Sequence, residues 1–276
     1  TDLNLFFNRN KLTKQIGTVT QNIGNQLFNG YSLTSIYDYK KEGIWQISEA
    51  AEAAKYGATP GQIKIQDYDN DGQITTADRH IIGNGDPKIQ GGMTNTFSYK
   101  GFDVGFTMYA RFGGLLVSQI HQWQSSYLTQ MDAGSSLGRN QIKVDYWTPN
   151  NPTNWFPTIA NGTNGWSSAS TAWQTLGYYS ASFLQIKAIN IGYTFKEKLM
   201  KQIGVHSIRV YGTVDNVGFL FSPYMHQTGI APIATNQGPS GVSNPDNLRT
   251  GTNGMTTISA STPLTRNYML GVNVNF

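Results

Sequence analysis

The sequence predicts an all-β chain: a portion of an antiparallel transmembrane β-barrel, about eight strands here, with long extracellular loops. Three observations predict it. Apolar and polar residues alternate strictly in several stretches of bilayer-spanning length. Only 13% of the 276 residues are charged, against roughly a quarter in ordinary soluble domains. Mean hydropathy is nevertheless negative, which is what an apolar outer face alternating with an uncharged polar inner face gives. Finally, short and long connections alternate along the chain.

Weak alternation marks residues 2–8, 14–23, 31–39 and 91–99 as strands. The clearest strand follows: Phe102, Val104, Phe106, Met108, Ala110 and Phe112 share one face, with Asp103, Gly105, Thr107, Tyr109 and Arg111 on the other. In 183–195 the apolar phase moves from Leu184 and Ile186 to Ile189, Ile191 and Tyr193, which predicts a bulge near Ala188. Ile208, Val210 and Val214 alternate with Arg209, Tyr211, Thr213 and Asp215, and the pattern returns at Tyr268, Leu270, Val272, Val274 and Phe276. A helical turn is expected at 48–56.

Between these stretches, 24–30, 100–101 and 196–206 are short or moderate connections. The segments 40–90, 113–182 and 217–265 are long and rich in Gly, Asn, Ser and Pro. Counting strands back from Phe276 puts all three long segments on one side, as in outer-membrane barrels, whose periplasmic turns are short. A soluble β-sandwich also alternates, but its strands usually number about 5–6 residues and rarely carry three such loops.

Other classes find little support. No run approaches the roughly 20 apolar residues of a membrane helix. The chain has no cysteine, hence no disulfide or thiolate site, and its net charge of +4 is not gathered into a basic block, so no nucleic acid partner is expected. No nucleophile elbow, phosphate loop or zinc helix occurs, and His80, His121, His206 and His226 have no metal spacing. Neither an enzyme nor an organic cofactor is expected. The chain starts at Thr1 without initiator Met or signal peptide, as a mature product or fragment would.

The sharpest local motif runs from Asp67 to Asp78. Read as a twelve-position calcium loop, it offers Asp67, Asp69 and Asp71 at positions 1, 3 and 5 and Gly72 at the sharp turn. The Gln73 carbonyl, Thr75 and Asp78 follow at 7, 9 and 12. The hard Ca2+ ion takes six to eight oxygens. Asp in place of Glu at the last position, and no clear flanking helix pair, leave a solvated Asp/Asn/Gly turn as the alternative.

Several segments, in order and spacing, resemble the C-terminal half of SusC-like (RagA-type) TonB-dependent outer-membrane transporters of Bacteroidetes. They are Ser35-Ile36-Tyr37-Asp38-Tyr39 with Gly43-Ile44-Trp45-Gln46, the Asp67–Asp78 loop with Arg79 and Ile82-Gly83-Asn84, Pro87 and Gly91-Gly92. Tyr99-Lys100-Gly101-Phe102-Asp103, Tyr146-Trp147-Thr148-Pro149 with Asn151-Pro152-Thr153, Ser182-Phe183-Leu184 with Gly192-Tyr193-Thr194, Arg209-Val210-Tyr211 and the closing strand complete the set. The resemblance implies a multi-pass barrel of about 22 strands in the cell outer membrane. It implies import of oligosaccharides or peptides with a SusD-like lipoprotein, driven by the TonB complex through an N-terminal region absent from this chain. The family's acidic Asp-Pro-Glu segment is replaced by Pro223-Tyr224-Met225-His226, and no plug domain is visible. Small residues at Gly105, Thr213 and Gly271 would leave an eight-stranded barrel unfilled, so 1–276 reads as the C-terminal part of a larger one.

Tyr268, Leu270, Val272, Val274 and Phe276 form a strand that barrel-assembly machinery could pair with, or simply a lipid-facing strand end. Tyr99, Tyr109, Tyr193, Tyr211 and Tyr268 suit an interfacial girdle, although Tyr109 and Tyr211 fall on the polar face. Trp123, Trp147, Trp155, Trp166 and Trp173 share one long loop, where they serve either substrate and partner contact or loop packing. A calcium-stabilised extracellular β module binding glycan or protein without transport is the other functional reading.

Overall fold

A computed structural model of the chain describes residues 1–122, 143–158, 172–195, 204–233, 255–258 and 264–276. In chain order β1 (Asp2–Phe6), β2 (Gln21–Asn22), β3 (Leu27–Phe28), β4 (Ser35–Asp38) and β5 (Lys41–Ile44) precede a 3-10 turn at Ile47–Glu49 and α1 (Ala50–Lys55). Next come β6 (Ile63–Ile65), a second 3-10 turn at Thr76–Asp78, β7 (His80–Asn84), β8 (Ile89–Tyr99), β9 (Phe102–Phe112) and β10 (Leu115–Ser118). A third 3-10 segment, Ala172–Gly177, leads to β11 (Tyr178–Ser180), β12 (Phe183–Thr194), β13 (Ser207–Phe221), α2 (Pro223–Thr228), β14 (Thr257–Ile258) and β15 (Asn267–Asn275). The helical turn expected at 48–56 is α1 with the 3-10 turn before it. Among the described residues no helix is long and apolar enough to cross a membrane.

The dominant sheet has the order β1-β8-β9-β12-β13-β15 with every pair antiparallel. It therefore has six long-sheet strands rather than about eight. Residues 14–23 contribute only β2, which pairs with β3, and 31–39 contributes β4, which pairs with β7. The alternation in 31–39 has another cause: Ile36 and Tyr39 are buried within the packed connections. Because two candidate strands drop out together, the parity of the remaining connections is unchanged. They run 7–88 (long), 100–101 (short), 113–182 (long), 195–206 (moderate) and 222–266 (long).

The hairpin joining β8 to β9 shows why the short end is tight. Tyr99 pairs with Phe102, and the two turn residues, Lys100 and Gly101, have φ of 49° and 92°. Two positive φ values match the right-handed strand twist, and a Cβ on Gly101 would lie 2.7 Å from the Thr194 carbonyl oxygen. The bulge expected near Ala188 is present. Ile186 pairs with Met108 and Ala188 with Thr107, leaving Lys187 as the extra residue.

Register places Leu3, Met93, Met108, Ile186 and Gly218 in one row, and Phe97, Val104, Ile191, Gly212 and Leu270 in another. The resulting face is apolar and exposed across the sheet, with Leu270 at 91% and Leu3 at 66%. Strands β8, β9 and β12 have 11, 11 and 12 residues, β13 has 15 and β15 has 9. A tilted bilayer-spanning strand needs about 9–11.

The packed core lies elsewhere. Apart from Phe183, every buried apolar side chain described belongs to the connections. Leu116, Tyr179, Ala181, Tyr224 and Ile258 form one cluster, Ile36, Val117 and Met255 a second, and Tyr39, Ile65 and Ala172 a third. β10 joins the first two by pairing with β11 on one side and β14 on the other. The long segments, read from sequence as loops without order, thus build a folded cap at one end of the sheet.

Candidate functional site

The face opposite the apolar one carries the sheet's polar chemistry. Arg209 on β13 donates from Nε to Asp103 Oδ1 at 3.1 Å and from Nη2 to Oδ2 at 2.5 Å, a bidentate pair across β12. Gly192 lies beneath it on β12, where a Cβ would sit 2.5 Å from Arg209 Nη2. Tyr211 packs its ring over Gly271, and the Arg209 guanidinium lies 5.0 Å from that ring. Further along, Tyr109 donates to Gln90 Oε1 at 2.6 Å, Lys187 approaches the Tyr109 ring at 5.5 Å, and Thr213 donates to Asn190 Oδ1 at 2.7 Å. Asn190 thus meets Thr213 and Tyr211 covers Gly271, so neighbouring side chains fill the face at these small residues.

Of the five tyrosines proposed as a girdle, Tyr99 and Tyr193 lie at the short-turn end of the apolar face, Tyr193 against Phe102 with ring centroids 4.5 Å apart. Tyr109 and Tyr211 take the polar-face roles just described. Tyr268 pairs with Val214, opposite the middle of β13 rather than its end. With Leu270, Val272, Val274 and Phe276 it lines exposed apolar surface on the edge strand β15.

The Asp-rich loop lies between β6 and β7. Carboxylate oxygens of Asp67, Asp69 and Asp71 all lie within 4.8 Å of one another. The loop turns so tightly because Asp67 accepts from the amides of Asp71 and Gly72, Asp69 from Asp71, and Asp71 from Gln73, with Asn70 at φ 60° and Gly72 at φ 82°. Desolvation raises the Asp69 pKa, followed by the neighbouring negative charges of Asp71, Asp78 and Asp67, while the Asp71 amide opposes them. Asp78 and Thr75 have other tasks. Asp78 is fully buried, accepting from Tyr68 N and Thr75 N at 2.7 Å each, and Thr75 caps the 3-10 turn by accepting from Ala77 N. The converging set is therefore three carboxylates, not four; Asp78 closes the loop from inside. Three close anionic oxygens fit a hard divalent cation.

The tryptophans are separated. Trp147 is buried, its indole donating to Gln46 Oε1 at 2.9 Å, so its expected contact role gives way to packing inside the cap. Trp155 is half-buried and donates to the Tyr179 hydroxyl at 2.9 Å, and Trp173 is half-buried in the 3-10 segment. Trp123 and Trp166 lie outside the described residues.

Sequence reading missed the buried polar groups of the cap. Asp38 accepts from Tyr178 Oη at 2.6 Å and from Tyr39 N at 2.8 Å. Burial raises its pKa, against those two hydrogen bonds and the Arg79 charge. His121 is sealed among Trp155, Phe156, Tyr179 and Tyr224, its Nδ1 2.5 Å from Ser118 Oγ. Burial lowers its pKa to about 4. Lys41, half-buried at the start of β5, was missed as well. Alternation with two polar residues inside Ser35-Ile36-Tyr37-Asp38-Tyr39 was the one available signal.

Comparison with known proteins supplies the family context. No family model matches the chain. Two proteins of Formosa agariphila, TonB-dependent receptor P3 and TonB-dependent receptor P26, are each 26% identical to it over 91% of its length. The chain resembles TonB-dependent receptors. A solved structure described as the RagAB peptide transporter superposes with a TM-score of 0.63 over 99% of the chain at 18% identity. Another, of the RagAB peptide importer in a closed-closed state, gives 0.59 at 19% identity. The fold is that of the barrel in these transporters. The chain spans about a quarter of the length of its relatives, 23% of each of the two receptors and 26% of the RagAB chain. These relatives of TonB-dependent receptor type carry the names of receptors and transporters, not enzymes.

Proposed function

We propose that this chain is the C-terminal wall segment of a TonB-dependent importer in the outer membrane, within a barrel of about 22 strands. The observation that carries this is the continuous exposed apolar face over all six strands, backed by a polar face and bounded by a tight turn at one end and a folded cap at the other. In hydrocarbon every backbone group must be paired, so the free edges of β1 and β15 are to be closed by further strands. The long connections 7–88, 113–182 and 222–266 then face the cell exterior. There a SusD-like lipoprotein would cap the lumen and oligosaccharides or peptides would enter; the description of RagAB as a peptide transporter supports the peptide half of this range. Transport would draw on the TonB complex, insertion on barrel-assembly machinery engaging β15, and Ca2+ would be held by Asp67, Asp69 and Asp71.

The test is made on the chain within its native polypeptide. The importer reading requires outer-membrane fractionation and heat-modifiable gel mobility; partition into the aqueous phase without detergent defeats it. A second reading, a calcium-stabilised extracellular β module without transport, draws on the position of the core in the connections rather than the sheet, and the same partition test separates the two. For the metal, calorimetry with calcium is expected to lose its heat signal in the double variant Asp69→Ala, Asp71→Ala; an unchanged isotherm removes the site.

A further inference from the structure

Lys41 opens β5, paired with Ile65, and its ammonium is drawn into the cap where its Nζ donates to the Trp155 carbonyl oxygen at 2.5 Å. That is one acceptor for three N–H donors. Among the described residues the ion pairs are Lys55–Glu52, Lys64–Glu49 and Arg209–Asp103, and none reaches Lys41. Asp38, the buried carboxylate three residues earlier, is committed to Tyr178 and the Tyr39 amide. Burial alone lowers the Lys41 pKa, to about 8, with no anion opposing it. A buried charge is normally paired.

The ammonium lines an open cavity of about 370 Å³. That is room for on the order of a dozen waters, within the usual size range of small-ligand sites. Two further polar groups on its wall can donate, beside Lys40, Glu42, Thr175 and Gln227. Asn154 uses its Oδ1 to accept from Ile44 N at 3.0 Å, which leaves its NH2 for the cavity. Tyr179 accepts from Trp155 Nε1 and keeps its own hydroxyl proton, held on by burial that raises its pKa. Tyr39, Tyr178 and Trp155 add aromatic wall. Exposed Glu42, also on the wall, makes no ion pair with Lys41, and its negative charge disfavours a doubly charged guest.

We propose that this cavity binds a carboxylate-bearing small ligand, its anionic oxygens taken by Lys41 Nζ, Asn154 Nδ2 and Tyr179 Oη. The carboxylate belongs to an acidic sugar or to a peptide C-terminus; the recognition chemistry is shared. The site does not depend on the importer reading, since binding is measured in detergent irrespective of membrane insertion.

The experiment uses the full polypeptide in detergent with four probes: glucuronate, glucose, trialanine and C-terminally amidated trialanine, titrated by saturation-transfer NMR and calorimetry. At least one carboxylate probe is expected to bind at least 10-fold tighter than its neutral counterpart. Lys41→Met is expected to abolish that preference while leaving heat-modifiable mobility unchanged. Preference for glucuronate alone assigns the sugar source, for trialanine alone the peptide source, and for both the carboxylate itself. Absence of either preference, or a preference that survives Lys41→Met, overturns the site. The comparison of charged with neutral probes on the unmodified protein stands even if the variant does not fold.

Discussion

Acidification should open the cap while sparing the sheet, and His121 sets the magnitude. Its ring is 1% exposed, with ring centroids of Tyr179 at 5.1 Å, Phe156 at 5.9 Å, and Trp155 and Tyr224 at 6.0 Å. Ser118 Oγ lies 2.5 Å from Nδ1 and is itself 2.9 Å from the Tyr224 hydroxyl, so no carboxylate is in contact to stabilise an imidazolium. Burial takes the pKa from the ordinary 6.5 to about 4. The folded cap then binds fewer protons than the opened one between those values. Its stability is complete above pH 6.5 and is lost as pH falls toward 4. At roughly 1.36 kcal/mol per unit, the loss is about 2.5 kcal/mol by pH 4.5, a factor of about 70 in the opening equilibrium. Hydrogen exchange at β10 and β11, corrected for intrinsic rates, measures it between pH 7 and 4.5. The reference is His121→Gln, which removes the titrating group. Equal pH dependence of cap protection in the two proteins would refute the assignment.

Three further outcomes follow from other parts of the structure. Asp78→Ala removes the buried acceptor of the part-buried Tyr68 and Thr75 amide bonds, and should destabilise the Asp loop by about 1–3 kcal/mol, seen as faster proteolysis between β6 and β7. Leu270→Arg places a charge on the exposed apolar face and should cost about 2–4 kcal/mol in bilayer unfolding experiments, whereas Asn267→Arg on the polar face, opposite Asp215, should be nearly silent. Lys41, with its pKa lowered to about 8, makes the unliganded cap gain stability as pH rises from 8 toward 10.5, because there the opened state binds more protons. Lys41→Met should raise cap stability at pH 7 by at most about 3 kcal/mol and flatten that alkaline rise in a thermal melt.

The long strands were legible because period two is enforced by a sheet with one apolar and one polar face, so Phe102–Phe112 could be read residue by residue and the Lys187 bulge located from a phase shift. The cap was not legible. Its strands have two to five residues, and pairings such as Ile36 with Gly83 or Val117 with Thr257 join distant segments whose local patterns are too brief to show a period. The same limit produced the overcount of strands, since alternation in 31–39 arises from burial in the cap and cannot be told from alternation at a lipid face. In the Asp loop the spacing foretold the approach of Asp67, Asp69 and Asp71. It could not show that Asp78 turns inward, because a carboxylate at position 12 serves equally as a ligand or as an acceptor for backbone amides. Lys41 was invisible for a related reason: nothing in Lys40-Lys41-Glu42 distinguishes the lysine that enters a cavity.

Wall and cap meet at a defined joint. β9 leaves the sheet at Phe112 and re-enters as β10 of the cap after only Gly113 and Gly114, whose φ values are 85° and 77°. A Cβ on Gly114 would lie 2.9 Å from the carbonyl oxygens of both Asp86 and Gly85, backbone that cannot swing aside. Arg111 completes the joint from the polar face, donating to the Gly85 carbonyl at 2.7 Å and to Thr256 Oγ1 at 2.9 Å. On the importer reading the wall takes its stability from ladder pairing and lipid, the cap from an aqueous-type apolar core. A lesion at the joint should therefore separate them. Gly114→Ala combines left-handed strain of about 1–3 kcal/mol with the two close oxygens. Exchange protection in β10, β11 and β14 should fall by at least 10-fold while heat-modifiable mobility of the barrel is retained. If the variant loses both together, the two parts are one cooperative unit and the division is wrong; if neither changes, the close approach at Gly114 does not constrain the joint.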